Sequence, residues 1–171
     1  VPLGANKLIF TPYLVGERTP HADAVIRGSF IGLDGSHGKD SMVRATIEGI
    51  TFSLNESVEL IRAAGISVER IISIGGGAKN NDWLQIQADI FDAPVVKLQS
   101  EQGPALGAAI IAAVGCGCFA SLKECADQFI EQDRIFYPKS QHVTDYKRLF
   151  KIYKMVYANT KELNEQLQEF R

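Results

Sequence analysis

The run IISIGGG at Ile71 to Gly77 limits the folds open to this chain more than any other segment. A short β-branched stretch, Arg70 to Ile74, reads as a buried strand that ends in three consecutive glycines. Asn80 or Asn81 then stands where a helix cap is needed, and Leu84, Ala88 and Phe91 fall on one face of the helix that follows. Pro94 opens a second strand, Val95 to Leu98, and Pro104 sits where the first turn of another helix, Ala105 to Val114, begins. Strand, helix, strand, helix in that order predicts an α/β layer fold with a largely parallel sheet.

The flanks are read more coarsely. Residues 1–40 are rich in loops, although Lys7 to Leu14 has the apolar content of a strand. From Ser41 to Ala64, Val43, Ile47, Ile50, Leu54, Val58 and Ile61 recur every three or four residues, which predicts a long helix burying that stripe. Asp40 or Ser41 is the expected cap and Gly65 the expected C′ residue. Ser121 and Glu124 form a capping box, and after Pro138 the residues Tyr146, Leu149, Tyr153, Val156, Thr160, Leu163 and Leu167 share a helical register. The expected organisation is a single, truncated domain: a loop-rich entry (1–40), an α/β core (41–120) and a helical tail (121–171).

A length of 171 residues suits roughly one domain of ~150 residues. With 46% apolar and 22% charged residues the chain can bury a core. Eighteen basic against 20 acidic residues leave a net charge of −2, so no basic field exists to hold nucleic acid or an anionic membrane. Cys116, Cys118 and Cys125 are an odd number of thiols without an evident secretory leader, from which a reduced, cytoplasmic protein with small buried thiols is expected. His21, His37 and His142 are too scattered to complete a zinc site, so no metal ligand is assigned. The start at Val1 suggests a piece excised from a longer protein. The uncharged stretch Gln102 to Leu122 is too rich in Ala and Gly to gain much from entering lipid.

The glycine turn admits two readings. Its exposed amides can lie against a nucleotide, or it is simply a tight turn between a closely packed strand and helix. It is no Walker A loop, because Lys79 follows Ala78 without the second glycine, and it is not GxGxxG; nor does an acidic residue end the next strand, where Leu98, Gln99 and Ser100 stand. A second cluster, Glu101 to Ala109, follows that strand and places both loops at one sheet edge. Gly107, Ala108 and Ala109 predict close helix packing there, whatever is bound. Glu17 and Arg18 read as a solvated surface pair with a cleft role as the alternative.

Five segments taken together resemble the C-terminal half of FGGY-family carbohydrate kinases: PYLVGERTPH at Pro12 to His21, RGSFIGL at Arg27 to Leu33, RATIEGI at Arg44 to Ile50, GGGAKNNDWLQIQADIF at Gly75 to Phe91, and GPALGAA at Gly103 to Ala109. Ser41 departs from the family pattern, which has an amide, acid or His there. The resemblance implies an actin-like ATPase fold, related to ribonuclease H, of which this chain is part of the second of two domains. It implies that Gly75, Gly76, Gly77, Ala78 and Asn80 form the adenine-nucleotide loop, and that Glu17 and Arg18 lie near the interdomain cleft. It further implies ATP and Mg2+ as cofactors of the full-length enzyme and a sugar as substrate. Nearest are the family's pentulose kinases, which transfer the γ-phosphoryl group to the 5-hydroxyl of D-xylulose; gluconate, ribulose and glycerol kinases are the alternatives. The general-base aspartate and the missing N-terminal domain belong upstream, so no catalytic residue is assigned here and the fragment alone is expected to be inactive. A homodimer is an admissible assembly. The reading from a different class is a non-catalytic α/β nucleotide-sensing or interaction module.

Overall fold

The computed structural model describes residues 1–99 and 103–170 of the chain. It separates into two compact units, one formed by Val1–Val68, Asp89–Asp92 and Pro138–Arg171, the other by Glu69–Ala88 and Ala93–Tyr137.

The first unit holds strands β1 (Ile9–Thr11) and β2 (Ser29–Ile31) and the long helices α1 (Lys39–Ala63) and α5 (Ser140–Leu167). β1 and β2 pair antiparallel, with Ile9 opposite Ile31 and Thr11 opposite Ser29. Leu8, Tyr13, Ile26, Phe52, Tyr146 and Tyr153 are at most 1% exposed and form the centre of the core. The ring of Phe52 lies 5.2–5.9 Å from those of Tyr146, Phe150 and Tyr153, so one aromatic side chain of α1 joins three on α5. Gly49 lets α1 pass close to β1, since a Cβ there would overlap the Phe10 carbonyl oxygen.

The stripe predicted to bury α1 does not do so in this chain. Val43 and Leu54 are each 49% exposed and Ile61 43%, whereas Ser41, Ala45, Glu48, Gly49, Thr51, Phe52, Asn55 and Glu56 face inward. The polar side chains tolerate that position where partners meet them: Glu48 Oε1 accepts from Gly4 N (3.2 Å), Arg44 Nε (2.7 Å) and Tyr146 Oη (2.8 Å). Gly38, not Asp40 or Ser41, occupies the N-cap, with no side-chain bond, and Ser41 accepts from Asn6 instead. The helix ends as expected, with Gly65 donating its N–H to the Arg62 carbonyl. Along α5 the predicted register holds through Tyr146, Tyr153 and Val156, but Leu163 and Leu167 are 59% and 62% exposed.

The second unit is built on β3 (Ile71–Ser73), α2 (Asn81–Phe91, whose last turn counts with the first unit), β4 (Val95–Leu98), α3 (Gly103–Gly115), α4 (Leu122–Phe129) and β5 (Gln132–Phe136). β3 and β4 are parallel, Ile71 facing Val95, as the strand, helix, strand order requires. β5, unforeseen in the sequence, pairs antiparallel on the other side of β4, so the sheet is mixed and not largely parallel. Only Phe136 of β5 is buried, and an edge strand with four outward residues carries no alternating apolar signal. Lys97 Nζ reaches Asp133 across this pairing at 3.2 Å.

α4 carries its predicted capping box: Ser121 Oγ accepts from Glu124 N (3.1 Å), while Glu124 reaches back to Ala120 N (3.0 Å). Of the thiols only Cys125 is buried; Cys116 and Cys118 are exposed, because they follow the end of α3 and not its packed face. Close packing around Gly107 is also absent. A Cβ at Gly107 would meet nothing within 4 Å, and of α3 only Ile110 is fully buried, since the helix rests on α4 by one side. Among the described residues no helix is long and apolar enough to cross a membrane.

Candidate functional site

The loop after β3 is where residues selected from sequence come together. Gly75 leaves the strand with φ +82°, a conformation in which a side chain would be strained. The chain then closes one 3-10 turn over Gly76–Lys79, with Ala78 N donating to Gly75 O (3.0 Å) and Asn80 N to Gly77 O (3.3 Å). The three glycines serve different needs. A Cβ on Gly76 would meet nothing within 4 Å, so that residue is open to solvent, whereas a Cβ on Gly77 would lie 3.0 Å from Cζ3 of Trp83. Trp83 is the floor beneath the turn, a role the sequence reading missed; a bulky aromatic six residues after a glycine is the signal it left. Ala78 is 3% exposed and anchors the turn to the core.

Asn80 settles the choice of cap. Its Oδ1 accepts from Asp82 N (2.9 Å) and Trp83 N (3.1 Å), which occupies the carbonyl and leaves the Nδ2 donors without an acceptor among the described residues. Asn81 turns away, its Oδ1 receiving Lys97 Nζ at 3.3 Å. The turn therefore presents backbone without side chains at Gly75 and Gly76, and an amide donor at Asn80, at the carboxyl end of β3. In parallel α/β sheets that end is where ligands lie. The start of α3 adjoins it, since a Cβ on Gly103 would sit 3.1 Å from Cδ1 of Ile74. Ser100, Glu101 and Gln102 lie outside the described residues. Among the described residues no three His, Cys, Asp or Glu side chains converge as a metal site.

Glu17 and Arg18 are not a surface ion pair. Glu17 Oε1 accepts the backbone N–H of Arg18 (2.8 Å) and of Thr19 (3.1 Å), and Oε2 receives Ser53 Oγ at 3.4 Å, while the Arg18 side chain is exposed. The carboxylate braces its own turn, which is stapled by the reciprocal Glu17 and Asp23 backbone bonds.

The fold of this chain is similar to that of solved sugar kinases. A ligand-bound xylulose kinase from Lactobacillus acidophilus matches with a TM-score of 0.87 and 34% identity, over 98% of this chain and 34% of that one. A gluconate kinase from the same organism matches with 0.85 and 34% identity, over 100% and 34%. A Plasmodium falciparum glycerol kinase with ADP matches with 0.73 and 26% identity, over 88% and 31%. The chain thus has part of the actin-like ATPase fold of sugar kinases. Residues 1–116 match the C-terminal domain of the FGGY family of carbohydrate kinases, and the chain belongs to that family. It is 61% identical to the xylulose kinase of Bacillus subtilis over all 171 residues, and 35% identical to a gluconokinase of Bacillus licheniformis over 151 residues, 88% of the chain and 29% of that protein. The chain spans about a third of the length of the curated relatives it matches, 34% in the Bacillus subtilis case.

Proposed function

We propose that this chain is the nucleotide-side part of an ATP-dependent kinase that phosphorylates D-xylulose on its 5-hydroxyl. The observation that carries the substrate is the 61% identity to a xylulose kinase along the whole chain, against 35% for a gluconokinase. The nucleotide role rests on the turn itself. Gly75 and Gly76 leave the backbone uncovered, and Asn80 holds α2 with one end of its amide while offering the other.

In this reading the residues present bind and orient. The amides of the Gly75–Ala78 turn lie against the nucleotide, and Asn80 Nδ2 donates to it. Phosphoryl transfer is mainly positioning and charge stabilisation, so holding one substrate in register is a large share of the work. Mg2+ bound with the nucleotide would supply charge neutralisation, and no described residue is assigned to hold it. The general base and the sugar contacts are assigned to polypeptide outside this chain.

A second reading, a gluconate kinase, is favoured by the equal 34% identity to the xylulose and gluconate kinases of Lactobacillus acidophilus. Assaying the intact protein with ATP against D-xylulose, D-ribulose, gluconate and glycerol separates them. The proposal expects kcat/KM for D-xylulose to exceed the others at least tenfold. A preference for gluconate would replace the substrate, and no turnover of any would favour a non-catalytic module.

A further inference from the structure

A recess of about 380 Å3 lies wholly within the first unit, apart from the glycine turn. The segment that enters β2 supplies Arg27 and Ser29 to its wall, and the last turns of α5 supply Leu163, Asn164 and Leu167, with Gln168 just beyond. No Asp or Glu stands among the described residues that line it.

Arg27 is held in place but unspent. Its Nη1 donates to the carbonyls of Ala24 (2.8 Å), Val25 (3.0 Å) and Ile26 (2.8 Å), which fixes the guanidinium against its own loop. Nε and Nη2, the edge that matches two oxygens of one anion, have no acceptor among the described residues, and no carboxylate there forms an ion pair with it. A cation already ordered by its own backbone loses little further freedom when an anion arrives.

Asn164 is the second group. It is only 8% exposed, and its Nδ2 donates to the Thr160 carbonyl one turn back (2.8 Å), while Oδ1 has no donor among the described residues. A buried amide with one end unpaired is costly until something meets it. The hydroxyl of Ser29 and the side-chain amide of Gln168 are likewise uncommitted. Leu163 and Leu167, 59% and 62% exposed, supply an apolar wall that no described residue covers.

We propose that this recess binds a small hydroxylated carboxylate. The carboxylate lies on the Nε–Nη2 edge of Arg27, the hydroxyls meet Asn164 Oδ1, Gln168 and Ser29, and the carbon skeleton rests on Leu163 and Leu167. Charge decides between anions. One guanidinium balances one negative charge, and the carboxyl end of α5 brings the negative end of the helix dipole to the same place, so a phosphomonoester dianion leaves a charge unmatched there. The volume falls within the roughly 300–1,000 Å3 of small-molecule sites. The site shares no residue with the glycine turn, and the inference does not depend on which sugar the protein phosphorylates.

Calorimetry of the intact protein with quinate, a hydroxylated carbocyclic carboxylate, tests it beside myo-inositol as the uncharged analogue and myo-inositol 1-phosphate as the dianion. Quinate has no primary hydroxyl, which sets it apart from a sugar phosphorylated at such a group. It should bind saturably and about tenfold or more tightly than either analogue. Leu163→Glu sets a second carboxylate against the ligand at an exposed helical position that Glu suits, and should weaken quinate about tenfold or more. In the wild type the 15Nε signal of Arg27 should shift with the calorimetric midpoint. No saturable binding, binding of either analogue as tight as quinate, or wild-type affinity in Leu163→Glu overturns the proposal, the last because quinate then sits elsewhere. Should that variant not fold, the Arg27 signal decides, and one unmoved at saturation overturns it equally. A failure of the D-xylulose assay leaves all of these outcomes unaffected.

Discussion

Gly76 and Asn80 are the residues at which stability and ligand binding separate most cleanly. Because a Cβ on Gly76 meets nothing and its φ is not among the left-handed ones, Gly76→Val should leave the melting temperature within a degree or two of wild type. If the turn carries nucleotide, the branched side chain stands where the backbone must approach it, and KM for ATP should rise at least tenfold. An unchanged KM would make the turn structural only. Gly75→Val is the contrasting control, since φ +82° is strained for a β-branched residue and the loss there is of stability. At Asn80, Asp caps as well as Asn, so Asn80→Asp should keep its melting temperature while weakening ATP through the lost amide donor and the added charge. Asn80→Ala loses the cap as well and should cost about 1 kcal/mol in chemical denaturation. Calorimetry of ATP binding to Asn80→Asp at wild-type strength would remove the nucleotide assignment.

At the scale of elements, the informative helix is α1. Ala is ordinarily the better helix residue by about 1 kcal/mol over Gly, so Gly49→Ala is stabilising by propensity alone. The added methyl would overlap the Phe10 carbonyl of β1, however, and the backbone of a paired strand cannot give way cheaply. Overpacking of about 1–3 kcal/mol should win, leaving the variant less stable than wild type in urea titration. The same helix shows where periodicity misleads. Val43, Leu54 and Ile61 mark a face that favours burial, but the neighbours within this chain, β1 and α5, meet the adjacent face, where Glu48 finds three hydrogen-bond donors. Periodicity reports what a helix can bury, and the identity of its neighbours is non-local information.

For the whole molecule, the division of labour proposed above, in a chain that covers 34% of a relative's length, predicts that the chain is inert by itself. Positioning both reactants is worth roughly 7–11 kcal/mol, and none of that is available when one reactant has no site. The purified 171-residue chain should therefore show no D-xylulose phosphorylation above background in a coupled ADP assay. Measurable turnover would place sugar contacts and a base within this chain and overturn the division of labour proposed above.

The sequence by itself determined the elements around the glycine turn, because their signals are local. A β-branched run, a glycine that must take φ +82°, an Asn that can bond the first free amides of a helix, and a proline ahead of a strand each act within a few residues. β4 falls on the predicted Val95 to Leu98, α2 ends at Phe91, and the family motifs identified the fold before any coordinate was needed. Only the tertiary structure decided which of Asn80 and Asn81 caps α2, since the second asparagine is claimed by Lys97 from a neighbouring strand. Only it revealed β5, whose pairing to β4 leaves four of five residues outward, and the approach of His21 Nε2 to within 3.6 Å of Glu56 Oε1, a residue remote in sequence. Those features depend on which distant groups meet, and a one-dimensional pattern carries propensity while contact between remote residues arises only once the chain has packed.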